Sequence, residues 1–299
     1  MQRIQSPLRY PGSKARMADR LAGLLERNMF VGSHLYEPFA GGAAVSLNLL
    51  ANGLIRSATL VELDPLVYSF WKCVKEKPDA LIEKVQRGTI SLSSWKRLEP
   101  LRLVKKPAKN RLIELAYAGL FFNRTCFSGI IGAGPIGGMS QSSQYKIDCR
   151  FNRKEIINSI RGVHLLMKNV DIRFGDGIAF LENECLEMLP HSLAYIDPPY
   201  VANGHKLYRY FFSDAQHERL SVAISGLKVP WLLSYDNHPF IVKLYGPERA
   251  SKISAWQSLK GARFVDELLL LSYDFEVREN RCSSIQKSPS ATNELILYK

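Results

Sequence analysis

SLAYIDPPYVAN, residues 192–203, begins as a strand and ends as a stiffened turn. Leu193, Ala194, Tyr195 and Ile196 read as the end of a buried strand, because a short apolar run bounded by turn residues suits a sheet covered on both faces. An acid, two prolines and an aromatic ring follow at once. Pro198 and Pro199 remove two backbone donors and restrict φ, which holds Asp197 and the ring of Tyr200 at fixed points. Read as structure alone, the stretch is a rigid turn in which Asp197 caps a neighbour.

Similar runs lie on either side. HLYEPFAGG (34–42), SATLVELD (57–64), VDIRFGD (170–176) and VPWLLSYDN (229–237) are each a short apolar run that ends in an acid or a polar turn. Between them SKARMADRLAGLLERN (13–28), AAVSLNLLANG (43–53, with Gly53 as a cap) and DAQHERLSVAISGL (214–227) read as helices. Strands alternating with helices predict an α/β fold, a mostly parallel sheet of Rossmann-like type with helices on both faces. Ligands bind such sheets beyond the carboxyl ends of the strands.

The chain has 299 residues, 46% hydrophobic and 23% charged, with no apolar run long enough to span a membrane. Its five cysteines form no CxxC pair and its six histidines no HExxH spacing, so no metal cofactor is expected. The opening MQRIQSPLRYPGSK has no hydrophobic signal core, and a cytoplasmic location is expected.

The net charge of +12 is concentrated in one place. Residues 67–170 carry 19 Lys or Arg against 7 Asp or Glu, and the remaining residues hold 21 of each sign. LVYSFWKCVKEKPDALIEKVQ (66–86) and AKNRLIELAYAGLFFNRT (108–125) read as helices there, and GIIGAGPIGGMSQSSQYK (129–146) as a long loop of the kind that is either functional or disordered. We therefore expect a catalytic domain of residues 1–66 and 171–299, interrupted at 67–170 by a basic helical insertion that binds nucleic acid.

Four sites fall at the predicted carboxyl edge. Phe39, Gly41 and Gly42 form a glycine turn that lets a ligand approach backbone and helix amides, though not a GxGxxG fingerprint. Glu62 ends the second strand about 20 residues on, where an acid holds ribose hydroxyls, and Asp64 is placed to share that role. Asp176 ends the third strand, a candidate partner for an adenine amine. Asp197 opens the fourth. No GxxxxGK loop is present, which argues against a nucleotide triphosphatase.

These motifs resemble, in order and over nearly the whole chain, those of the DNA adenine methyltransferases of the Dam type. RYPGSK (9–14) is similar to that family's amino-terminal cofactor motif, EPFAGGAAV (37–45) to its glycine turn, VELDP (61–65) to its acidic motif and DPPY (197–200) to its catalytic motif. FFNRTCFSG (121–129) with CRFNRKEI (149–156) resembles its target-recognition region. The resemblance implies S-adenosylmethionine as cofactor and the exocyclic N6 amine of a flipped-out adenine in duplex DNA as target. By the same resemblance Tyr10, Gly12, Lys14, Glu37, Phe39, Gly41, Gly42, Glu62, Asp64, Asp176 and Asp197 surround the cofactor. Asp197, Pro198, Pro199 and Tyr200 form the catalytic socket, with Tyr200 stacking on the base. Asn123, Arg124, Lys146 and Arg150 are the expected DNA contacts, while Phe121, Phe122 and Phe127 are expected in the core.

The family commonly has glycine where this chain has Ala43. Its closing strand matches VDELLLLSY (265–273) in preference to TNELILYK (292–299). Further expectations are a monomer, encoded by a bacterium or phage and associated with the nucleoid, with a cognate restriction enzyme as partner. The alternatives weighed are methylation of RNA adenine or DNA cytosine, and a catalytically silent DNA-binding homologue. Asp197 favours adenine, since the cytosine-amine enzymes tend toward Ser at that position.

Overall fold

The computed structural model describes residues 2–9, 15–202, 209–246, 250–257 and 263–272. The expected sites Tyr10, Gly12 and Lys14, and the stretch 292–299, lie outside them. Five parallel strands form the body of the sheet: β1 (Ser33–Glu37), β2 (Ile55–Glu62), β3 (Val170–Phe174), β4 (Ser192–Ile196) and β5 (Trp231–Asp236). β6 (Ala250–Gln257) pairs antiparallel with β7 (Arg263–Leu271), and β7 pairs antiparallel with β5. The order is β3-β2-β1-β4-β5-β7-β6. The closing strand is thus drawn from VDELLLLSY. The chain reverses its direction of growth between β1 and β4, and that switch point is where the sheet opens a crevice at its carboxyl edge.

Ten helices are described: α1 (Ala15–Arg27), α2 (Ala44–Ala51), α3 (Pro65–Glu76), α4 (Pro78–Arg87), α5 (Leu92–Leu98), α6 (Leu112–Thr125), α7 (Arg153–His164), α8 (Gly177–Glu184), α9 (Asp214–Ser225) and α10 (Pro239–Tyr245). Strand residues alternate between two cores because successive side chains point to opposite faces. Leu35, Leu193, Tyr195 and Leu232 pack with Leu21 and Leu25 of α1 and Leu49 of α2. Tyr36, Ala194, Ile196 and Leu233 pack with Ile178 of α8, Leu220 of α9 and Ile241 of α10. Among the described residues no helix is long and apolar enough to cross a membrane.

Between β2 and β3 lie only helices, 3-10 turns and loops. The stretch 66–86, expected to be helical, forms two helices. Asp64 caps α3 by accepting from the Leu66 amide at 2.9 Å, and Pro65 sits at its first position. Pro78 then lacks the amide that would extend α3 and instead starts α4. The expected boundary at 66/67 cuts through α3. A single core runs from Leu60, Val170 and Ile172 of the sheet through Phe70 and Trp71 of α3 to Leu115, Phe121 and Phe122 of α6. The basic segment is therefore built onto the sheet and has no separate core.

The α3–α6 crossing depends on Gly119. A β-carbon there would lie 2.6 Å from the Leu66 carbonyl oxygen. Helix propensity favours Gly119→Ala by about 1 kcal/mol. The clash is with backbone, which cannot rotate away, and overpacking of this kind costs about 1–3 kcal/mol. We expect Gly119→Ala to lower the unfolding free energy despite its better helix propensity. Urea unfolding measures it, and an unchanged or raised midpoint would contradict this packing.

Candidate active site

Each of the five parallel strands delivers an acid at its carboxyl end: Glu37 closes β1, Glu62 closes β2, Asp176 lies two residues past β3, Asp197 one past β4, and Asp236 closes β5. Glu37, Glu62, Asp176 and Asp197 line one cavity of about 520 Å³, together with Phe39, Gly41, Gly42, Asp64 and Pro199. Residues 37–42 of the glycine turn and the ends of β2 and β4 are thus brought to one place.

The turn is locked to β2. The Gly41 amide donates to Glu62 Oε2 at 2.9 Å, and the Ala40 amide to the Val61 carbonyl at 3.0 Å. The Trp71 indole donates to the Gly41 carbonyl at 2.8 Å. Ala43 takes the left-handed conformation, φ 48°, that glycine adopts more readily. Glu37 is pinned to α2, accepting from the Ser46 hydroxyl and, at 3.4 Å, from its amide.

The remaining acids differ in what they already hold. Glu62 accepts from the Gly41 and Asp64 amides at 2.9 and 2.8 Å, the Leu63 amide also favours its charged form, and burial followed by the nearby Asp64 charge pushes its carboxyl up to about 7. A carboxylate offers about four acceptor positions, so Glu62 retains capacity for hydroxyl donors. Asp64 is committed: besides capping α3 it pairs with both oxygens to Arg209, at 2.9 and 3.1 Å. All the hydrogen bonds of Asp176 among the described residues run through Oδ1, which takes the Ile178 and Ala179 amides as the cap of α8. Asp197 Oδ1 accepts from the Ser234 hydroxyl at 2.6 Å.

Three expectations are corrected. Tyr200 is buried, its ring packed 6.2 Å from that of Tyr235, and it is not among the residues lining the cavity. The Asp236 carboxylate accepts from the Val201 and Ala202 amides at 3.1 and 2.8 Å, which draws the chain onto β5 and turns the ring inward. Asn123 and Arg124 are buried in α6 and face no open surface. Asn123 holds the amide and carbonyl of Arg9, and the Arg124 guanidinium donates to the Pro7 carbonyl. Burial, then the charge of Arg9, lowers Arg124 to about 10. Together they fasten residues 7–9 against α6, where Leu8 and Arg9 form a wall of the cavity. Phe127, expected in the core, is 63% exposed, while Phe121 and Phe122 are buried.

Lys146 and Arg150 are exposed, flanking the glycine-rich loop with exposed Met139 and Tyr145. Burial, then the charge of Arg150, lowers Arg9, which lines the cavity. Sequence reasoning missed Arg209, Tyr210 and Phe212, which line the cavity from the segment after DPPY. Phe212 meets Phe39 edge-on at 5.7 Å. It also missed Ser234 and Asp236.

Arg209 ties that segment to α3 through Asp64 and to the Arg102 carbonyl of the insertion. The pair is little exposed, 12% and 10% of its side chains. Arg209→Ala leaves the Asp64 carboxylate uncompensated, and we expect a loss of about 3 kcal/mol in unfolding free energy. Adding Asp64→Asn, which keeps a capping side chain, should recover part of it. Denaturant titration of the single and double variants measures both.

Residues 10–259 match the family described as D12 class N6 adenine-specific DNA methyltransferase. The type II methyltransferase M.MjaIII of Methanocaldococcus jannaschii is 27% identical over 292 residues, covering 89% of this chain and 98% of that protein. Among solved structures, the rRNA methyltransferase aviRa of Streptomyces viridochromogenes is 12% identical, covering 89% and 87% of the two chains at a TM-score of 0.38. A Haemophilus influenzae protein described as a methylase, HI0767, is 11% identical over 86% and 88% at a TM-score of 0.36.

Proposed function

The chain belongs to the D12 class of N6 adenine-specific DNA methyltransferases, and from that premise we propose how its own residues carry out the transfer. The observation that carries the reading is the convergence of Asp197 with the β1 and β2 acids on one cavity at the switch point of the sheet.

Methyltransferases of this kind depend on S-adenosylmethionine, which supplies a methyl group already activated on a sulfonium. The cavity fits it: its volume suits a cofactor, Phe39 and Val61 give apolar wall for a flat ring, and Glu62 has acceptor capacity left for ribose hydroxyls. Asp176 would meet the adenine amine. The glycine turn would face the methionine end.

The difficult partner is the adenine amine, whose lone pair is drawn into its ring. The Asp197 carboxylate and the Pro198 carbonyl would accept its two hydrogens and stabilise the positive charge that grows on nitrogen. The two prolines keep these acceptors aligned with the incoming methyl. An adenine within a duplex is out of their reach, so the base must leave the stack at a cost of roughly a few kcal/mol. The basic insertion would hold the opened DNA through its exposed loop, with Lys146 and Arg150 on phosphates. Likeness to a type II methyltransferase supports a cognate restriction enzyme as partner.

Asp197→Ala should slow methyl transfer to duplex DNA about a hundredfold or more with the fold intact. Labelled-methyl incorporation reads this directly, and near-normal turnover would remove Asp197 from the chemistry.

Glu62 gives a pH dependence. Its folded-state carboxyl titrates near 7, above the ordinary 4.5, so it lowers stability as pH rises between those values and is ionised only above about 7. Hydroxyl donors bond more strongly to the ionised form. Cofactor affinity should therefore fall about tenfold from pH 8 to pH 6, a change that Glu62→Gln should abolish. Calorimetric titration across that range is the measurement.

A further inference from the structure

Ser234 lies on β5, directly beside the strand that delivers the catalytic motif. Ile196 of β4 is in register with Leu233 of β5, so the next residue of each strand, Asp197 and Ser234, meet at the carboxyl edge. The Ser234 side chain is fully buried, and its hydroxyl donates to Asp197 Oδ1 at 2.6 Å. Tyr195, one pleat back on β4 and also buried, has its hydroxyl 3.2 Å from the same Ser234 oxygen.

The direction of this chain follows from counting protons. A serine hydroxyl has one hydrogen, and Ser234 gives it to Asp197. Tyr195 must therefore donate to Ser234. The result is a directed series, Tyr195 to Ser234 to Asp197, in which each bond polarises the next. It starts in the core and ends on a carboxylate that lines the cavity. β5 makes a second attachment two residues further on, where Asp236 holds the Val201 and Ala202 amides. The side chain of Asp197 and the backbone just after DPPY are thus both fixed from one strand.

We propose that Ser234 is a positioning residue for methyl transfer, orienting the Asp197 carboxylate toward the target amine through the hydrogen bond it donates to Oδ1. The inference rests on the reading of Asp197 as the amine's acceptor. Prolines 198 and 199 stiffen the backbone at Asp197, but they leave rotation about its side-chain bonds unrestricted. Ser234 removes that freedom. A hydroxyl that served only to fill a buried polar position would affect stability and binding along with rate. An orienting one also costs stability, but it lowers rate with the affinities unchanged, because alignment is needed only when the methyl moves.

The test compares Ser234→Ala, Ser234→Cys, Ser234→Thr and Asp197→Ala in the full chain. The reaction is single-turnover transfer of labelled methyl from S-adenosylmethionine to DNA from a methylation-deficient host. Cofactor and DNA affinities and thermal midpoints are measured alongside. Ser234→Ala should slow transfer about tenfold, as expected for one charge-assisted hydrogen bond, with both affinities within about twofold of wild type. Ser234→Cys, which keeps the volume but donates weakly, should also be slow, and Ser234→Thr should recover most of the rate. Wild-type transfer by the Ala and Cys variants would overturn the proposal. So would a rate loss matched by an equal loss of cofactor affinity. If Ser234→Ala does not fold, the Cys variant decides, and a wild-type rate there overturns the proposal. Asp197→Ala separates the two readings. If it is inactive while the Ser234 variants are normal, the role of Ser234 falls and that of Asp197 stands. If Asp197→Ala itself transfers methyl normally, the reading of Asp197 falls.

Discussion

The hydrogen bond from the Gly41 amide to Glu62 joins the end of β1 to the end of β2, and the cavity takes its shape from that join. The glycine turn leaves β1, crosses toward β2 and is caught there by a carboxylate that itself bridges to the Asp64 amide. Trp71 of α3 holds the same turn by the Gly41 carbonyl. Sheet, turn and first inserted helix thus meet around one residue, Gly41. Parallel pairing makes this arrangement available, because it points every strand's carboxyl end to the same edge.

Much of this edge was legible in the sequence. Strand ends are marked by acids after apolar runs, and strand period alone assigns Leu193 and Tyr195 to one face and Ala194 and Ile196 to the other. The family match covers the motifs found that way. The reading failed where the chain returns to itself over long distances. Asn123 and Arg124 looked like surface contacts because they are polar and lie in a basic segment. Their partners, Arg9 and Pro7, are 114 and 117 residues away. A local signal did exist. LIELAYAGLFFNRT is apolar around almost its whole circumference, and such a helix is buried over all but its Glu114 edge, Asn123 and Arg124 included.

Tyr200 and Phe127 show the same limit at smaller scale. DPPY suggests a ring presented to a ligand, but Asp236, on the neighbouring strand and 35 residues on from Val201, sets where that ring goes. Phe127 follows an apolar helix and reads as core. Ser128 and Gly129 then take left-handed backbone, at φ 55° and 77°, and the chain turns with the ring outward. Ser234 and Arg209 carry no motif. Their roles come from β4–β5 register and from a crossing between segments, neither of which a pattern of residue types encodes.

The core shared between the sheet and α3 and α6 sets how the inserted segment can change over time. Since Leu60 and Ile172 pack in the same cluster as Phe121 and Ile160, the inserted segment cannot be exchanged as a unit without opening the catalytic fold. The loop between Cys126 and Phe151 is different. It contains no helix longer than a 3-10 turn and is largely exposed from Gly138 to Arg150. Sequence change is therefore accessible by drift or grafting within about 25 residues of loop, whereas the helices beneath it are bound to the same constraints as the catalytic fold.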